Sequence, residues 1–371
     1  MKGMVFTRNN TKAIKAIAVL LMIIHHLFAF PDRISNDHVP LISIGDMTAM
    51  GYLAIFGKIC VALFLFLGGL GNYYSYRNHI KAKKKRGKFV FEKIRALYLA
   101  YWRVFAVVLP ISLFLGTAYV GDAHLVNIVQ DFLGVTSRLC GEWWFLPLYI
   151  LFMAFMPFFY RLSKRCKSSF ADVKMFALIY FISFFIWPAV SSLSVFDAVR
   201  ADWIYAHVNN FLIWLPCFYM GIIFAKRNIL GKIKARYSGN YLLCLAYLAI
   251  FCILIIARRH MGVKYDCFLA PLLIVAATSI LEIPLLKWLR RALVWIGGHS
   301  TNMWLIHSFF IYHWCQRIIF KPKYDILIFL FLTAVSIVGS ILIDYFWKIV
   351  INLFAKIAKL KIWQFQVIEE S

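Results

Sequence analysis

Long apolar runs broken by short polar stretches organise this chain of 371 residues. Ten runs have the length of a membrane-crossing helix: 14–30, 53–74, 97–117, 143–160, 174–192, 207–225, 240–257, 267–286, 300–318 and 326–347. A helix rises about 1.5 Å per residue, so about 20 apolar residues cross a hydrocarbon core about 30 Å thick. The pattern predicts an all-α, polytopic membrane protein of about ten transmembrane helices. It predicts a single transmembrane domain over residues 1–371, with a basic tail at 348–371. Lys12 and Lys15 at the head of the first run give it the look of a signal peptide, but it lacks a small-x-small cleavage site and reads as a retained helix.

Within that first run, one polar pair stands out. Lys15 and His26 are eleven residues apart, which on an α-helix is about 16 Å of rise and a return to within about 20° of one face. A cation at the mouth of a span and an imidazole deep inside it therefore share a stripe. Ionisable groups at such depth are costly and by default point to function. The spacing suits a long substrate with an anionic head outside the bilayer and a reactive end within it. His25 lies about 100° round the helix, so the two histidines cannot face one cleft equally. Each also has a structural reading, as a core histidine bonded to a neighbouring helix.

Composition agrees with the membrane reading: 63% of residues are hydrophobic and 15% charged. The net charge of +25 comes from short loops between apolar runs, so the chain is not expected to bind nucleic acid. Thirty of the 41 lysines and arginines fall on the side of the N-terminus and nine on the other, while ten of the 16 acidic residues fall opposite. Basic loops stay in the cytoplasm, so both termini are expected to be cytoplasmic. Arg258, Arg259 and Lys264 are the exception to this bias. The eight cysteines form no C-x-x-C pair and read as small core residues, and no span offers a histidine set spaced for a metal.

Further polar groups punctuate the spans. Lys93 and Arg95 stand where the third span meets the membrane edge, placed either to anchor it on anionic lipid or to grip phosphates. Gly68, Gly69 and Gly71 lie inside the second span, where glycine allows close helix packing or a narrow passage. Glu142 precedes Trp143 and Trp144 at the fourth span. It can be solvated, cap the helix, orient a histidine or bind a hydroxylated acceptor. Ser300 reads as the N-cap of the ninth span, with His307 two turns inside.

Taken in order, these segments resemble the acyltransferase 3 family, polytopic enzymes that O-acylate bacterial surface glycans. Lys15 and His26 stand where that family usually has Arg and His. Phe64 to Gly69 is similar to its Phe-Phe-x-x-Ser-Gly segment, with Gly68 in place of Ser. Lys93 to Tyr101, Trp144-Phe145-Leu146, Phe218 to Gly221 and Ile296 to His307 resemble its later signatures. The resemblance implies an O-acyltransferase of the bacterial cytoplasmic (inner) membrane. The donor would be a cytoplasmic acyl-CoA, most often acetyl-CoA. The acceptor would be a sugar hydroxyl of a surface glycan or lipid-linked oligosaccharide. His26 and Glu142 would be catalytic, and Lys15, Lys93, Arg95, His25, Trp144 and His307 would bind substrate. No metal is expected. The rival reading is a transporter or flippase of lipid-linked sugars with the buried histidines as a proton relay.

Overall fold

A computed structural model describes residues 6–34, 37–119, 125–237 and 241–369, with the side chains of 234–237, 241 and 357–369 left aside. Lys2 and Asp122, which entered the charge distribution, lie outside the described residues. The chain is all-α. Its helices are α1 (Arg8–Phe28), α2 (Ala49–Gly57), α3 (Cys60–Lys81), α4 (Arg86–Phe114), α5 (Leu125–Phe132), α6 (Phe145–Arg165), α7 (Ser169–Phe181), α8 (Trp187–Ser191) and α9 (Trp203–Arg227). They continue with α10 (Ile229–Tyr237), α11 (Tyr241–Ala257), α12 (Asp266–Ile280), α13 (Lys287–Ser308), α14 (Gln316–Phe320) and α15 (Asp325–Glu369). Between α1 and α2, the two-residue strands β1 (Ser43–Ile44) and β2 (Met47–Thr48) form a hairpin whose turn uses Gly45 at φ +62°.

Among the described residues, nine helical stretches are long and apolar enough to cross a membrane, so the chain is a multi-pass membrane protein. The segment expected at 300–318 is the one that falls short by composition. It belongs to α13, which starts thirteen residues earlier at Lys287 and continues as a π-helical turn, Phe309–Trp314. The N-cap reading of Ser300 is therefore corrected. Ser300 is mid-helix and its hydroxyl donates to the Gly297 carbonyl at 3.0 Å. The third and last spans also outrun their apolar cores, as α4 and α15. Lysine, arginine and glutamate are good helix formers, so a helix continues past the point where hydropathy ends.

The second span is interrupted. Helix α2 ends at Gly57, Lys58 and Ile59 make the break, and α3 resumes at Cys60. Helices α3 and α9 meet through their backbones. A Cβ on Gly69 would lie 2.0 Å from the Phe218 carbonyl oxygen, and one on Gly221 would lie 2.1 Å from that of Phe66. Helices α1 and α13 close up in the same manner at Gly297, 1.9 Å from the Lys12 carbonyl. Without a hydrophobic effect between helices in lipid, such backbone approaches supply the packing.

Ion pairs sort the loops between the two ends of the bundle. Arg259 holds Asp46 through two nitrogens at 2.8 and 2.9 Å, which keeps the Asp46 carboxyl below its ordinary range. Arg258 pairs with buried Asp266 at 3.0 Å. The loop carrying Arg258 and Arg259 thus lies at the same end as the loop after α1, so these cations answer acids there. At the other end Asp172 takes Lys226 and Arg227, each at 2.5 Å.

Candidate active site

One face of α1 lines a cavity of about 750 Å³. Its contributors on that helix include Thr11, Lys15, Met22 and His26, spaced four, seven and four residues apart, which is the helical stripe that the sequence places there. From Thr11 to His26 is about 22 Å along the helix axis, most of a bilayer core. Helix α3 supplies the facing wall with a matching stripe: Cys60, Phe64, Gly68, Asn72 and Ser75. Helix α4 adds Lys93 and Leu97, the short turn Gly141–Trp144 before α6 adds Glu142 and Trp144, α6 adds Tyr149, and α13 adds Ser300, Thr301 and Trp304.

Lys15 and Lys93 line this one chamber, and neither forms an ion pair among the described residues. Arg33 and Glu142 also line it, and they pair at 3.0 Å, with Glu142 buried. Glu142 reaches its place through an ordered loop. The buried Asp131 carboxylate accepts from the Tyr119 and Thr136 hydroxyls and from the amides of Arg138 and Leu139. The Trp143 indole then donates to the Leu305 carbonyl at 3.0 Å, fixing the loop to α13. Cys140 donates to Glu142. Burial, and then the charge of Glu142, push its thiol well above the ordinary range, so it stays protonated.

Of the α1 histidines, His26 has the more telling partner. Its Nδ1 is 2.6 Å from Nε2 of His307 on α13. Nδ1 of His307 lies 2.8 Å from the Trp304 carbonyl and 3.2 Å from that of Met303. Carbonyl oxygens only accept, so His307 carries its proton on Nδ1 and offers a lone pair at Nε2. In a neutral pair His26 must then donate from Nδ1, which leaves the lone pair of its own Nε2 available as a base. The Tyr312 hydroxyl, on the π-helical turn after His307, donates to the His26 carbonyl at 2.5 Å. His25 lines the same cavity, but its Nδ1 is engaged by the Ala54 carbonyl of α2 at 2.7 Å. Both histidines line the cavity.

The cavity therefore gathers Lys15, Lys93, His25, His26, Glu142 and Trp144. His307 is buried behind His26 and touches it, away from the cavity wall. Arg95 is exposed and off the wall, since it sits about 200° round α4 from Lys93. The three glycines divide their roles. Gly68 and Gly71 line the cavity, while Gly69 packs on α9. Sequence reasoning passed over Arg33, Lys58, Asn72 and Tyr149. Lys58 carried a signal, as a cation inside the apolar run 53–74, and so did Asn72, as an amide. Asn72 donates to the Gly68 carbonyl at 2.9 Å and to the Tyr149 hydroxyl at 3.1 Å.

A family model for the acyltransferase 3 domain, described as an acyltransferase domain, matches residues 10–345. The chain belongs to the acyltransferase 3 family. No curated protein and no solved structure matches it. As an acyltransferase 3 member it is a membrane acyltransferase, and the proton-relay transporter is set aside in favour of an enzyme. The match runs from α1 into the first half of α15, and so takes in every helix that builds the cavity.

Proposed function

We propose that this membrane protein transfers an acyl group, most simply acetyl, from cytoplasmic acyl-CoA to a sugar hydroxyl of a surface or lipid-linked glycan. The inner membrane of a bacterium is the expected site, with the α1 N-terminus in the cytoplasm. The observation that carries the reading is one cavity lined by both Lys15 and His26, with His26 held by His307. Lys15 and Lys93 would bind the CoA phosphates, and the pantetheine arm would run along α1 toward His26. The acceptor hydroxyl would enter from the end marked by Arg33 and Glu142. Nε2 of His26 would take the hydroxyl proton as the oxygen attacks the thioester carbonyl. The C–S bond breaks, and the proton returns to the departing thiolate. His307 would orient the ring. Glu142, neutralised by Arg33, would position the acceptor, with Trp144 as an apolar wall against the sugar.

Membrane vesicles holding the protein, a labelled acetyl-CoA and isolated glycan test this directly. The expected result is label in the glycan. Lys15→Ala should raise the donor KM about tenfold or more with a smaller change in kcat, the loss expected for one charge-assisted phosphate contact. Lys15→Arg should retain most of the affinity, because a guanidinium also binds phosphate. No transfer by the unaltered protein, or equal loss in both variants, would contradict the proposal.

A further inference from the structure

Back to back with the reaction cavity lies a second, open groove of about 720 Å³. The wall between them is the Gly297–Lys12 contact, where α1 and α13 touch through their backbones. Ser300 and Thr301 look into the first cavity, and Gly298 and His299 into the second. The groove is lined by Lys12 of α1 and by Lys287, Arg290, Arg291, Trp295 and His299 of α13, with no carboxylate in its wall. Arg290 is steadied by Asn10 at 3.3 Å, and His299 by the Ser340 hydroxyl at 3.1 Å with Asp344 behind it at 3.7 Å.

The placement of these cations is unfavourable by itself. Both helices begin at the groove, where the unpaired amides of a first turn carry the positive end of the helix dipole. Neither first turn holds an acid, and α13 has no side-chain cap. Four cations gathered on two positive helix ends call for an anion. Trp288 and Trp295 are exposed alongside, as are Val338, Leu342 and Tyr345 on the neighbouring α15. Exposed tryptophans mark the headgroup level of a bilayer, and apolar residues beyond them meet acyl chains. Basic pockets between spans at that level suit lipid phosphates.

We infer that this groove binds the phosphate of an anionic membrane phospholipid, with its headgroup among Lys12, Lys287, Arg290 and Arg291 and its chains along α13 and α15. Since Lys12 and Gly297 divide the groove from the reaction cavity, this lipid is distinct from the acyl donor, and its binding is independent of acyl transfer. The test is thermal unfolding of the purified full-length protein in detergent, followed by tryptophan fluorescence. Phosphatidylglycerol, phosphatidylcholine, free glycerol phosphate and CoA are each titrated in. Phosphatidylglycerol should give a saturable rise in Tm and phosphatidylcholine none. Lys287→Gln with Arg291→Gln should weaken the phosphatidylglycerol effect about thirtyfold, and Lys12→Gln alone, on the other helix, about fivefold. Lys84→Gln with Lys88→Gln, which removes two exposed cations elsewhere, should leave it unchanged. Three results would overturn the assignment: equal stabilisation by phosphatidylcholine, stabilisation by glycerol phosphate without the lipid or by CoA in a way that the groove variants abolish, or full retention of the phosphatidylglycerol effect in those variants.

Discussion

Replacing His26 with alanine should lower acyl transfer by about 10²–10⁴-fold while the protein remains folded in the membrane, the range expected for loss of a positioned general base. The cavity already surrounds the ring, so the smaller side chain enlarges an existing space and removes no backbone contact. Loss of the ring removes the one lone pair that the His26–His307 pair directs away from α13. His307 cannot take its place. Its Nδ1 is committed to the Trp304 carbonyl, and it is fully buried behind His26. Initial rates with labelled acetyl-CoA, set beside size-exclusion profiles, measure the effect. A folded alanine variant with the unaltered rate would remove His26 from the chemistry.

The largest structural effect is expected at Gly69. Alanine there places a methyl group 2.0 Å from the Phe218 carbonyl oxygen, and the facing atoms are backbone, which cannot rotate aside. Helices α3 and α9 must part by more than 1 Å, and the reciprocal contact of Gly221 with Phe66 opens with them. Overpacking of this kind costs about 1–3 kcal/mol or more, a large fraction of a protein's total stability. Thermal unfolding in detergent should show a clear fall in Tm for Gly69→Ala. Gly71→Ala, two residues along and facing open space, should unfold like the unaltered protein. Equal stability of the two variants would mean that α3 and α9 do not meet at Gly69.

How much of this was readable beforehand follows from the range of each interaction. The Lys15–His26 stripe was legible because helical periodicity is local and the segment is helical throughout. The division among Gly68, Gly69 and Gly71 was not, because one residue turns a side by about 100° and only the neighbouring helix decides which side is packed. Arg95 failed for the same reason: it neighbours Lys93 in sequence and opposes it in space. The partners of His26 and Glu142 were hidden by distance. His307 lies 281 residues from His26, and Arg33 lies 109 residues from Glu142. Ser300 misled because a polar residue before an apolar run looks like a cap. Helix α13 in fact begins at Lys287, among cations that hydropathy counts as loop. Those same cations build the groove beside α1, and positive loop charge gave no hint that they converge.

The most direct measurement is a cryo-electron microscopy structure of the protein with CoA bound. The expected density has its phosphates against Lys15 and Lys93, the pantetheine arm along the α1 stripe past Met22, and the sulfur within reach of Nε2 of His26. Density that left this cavity empty, or that put the nucleotide at one end and the sulfur away from His26, would contradict a shared path from cation to imidazole.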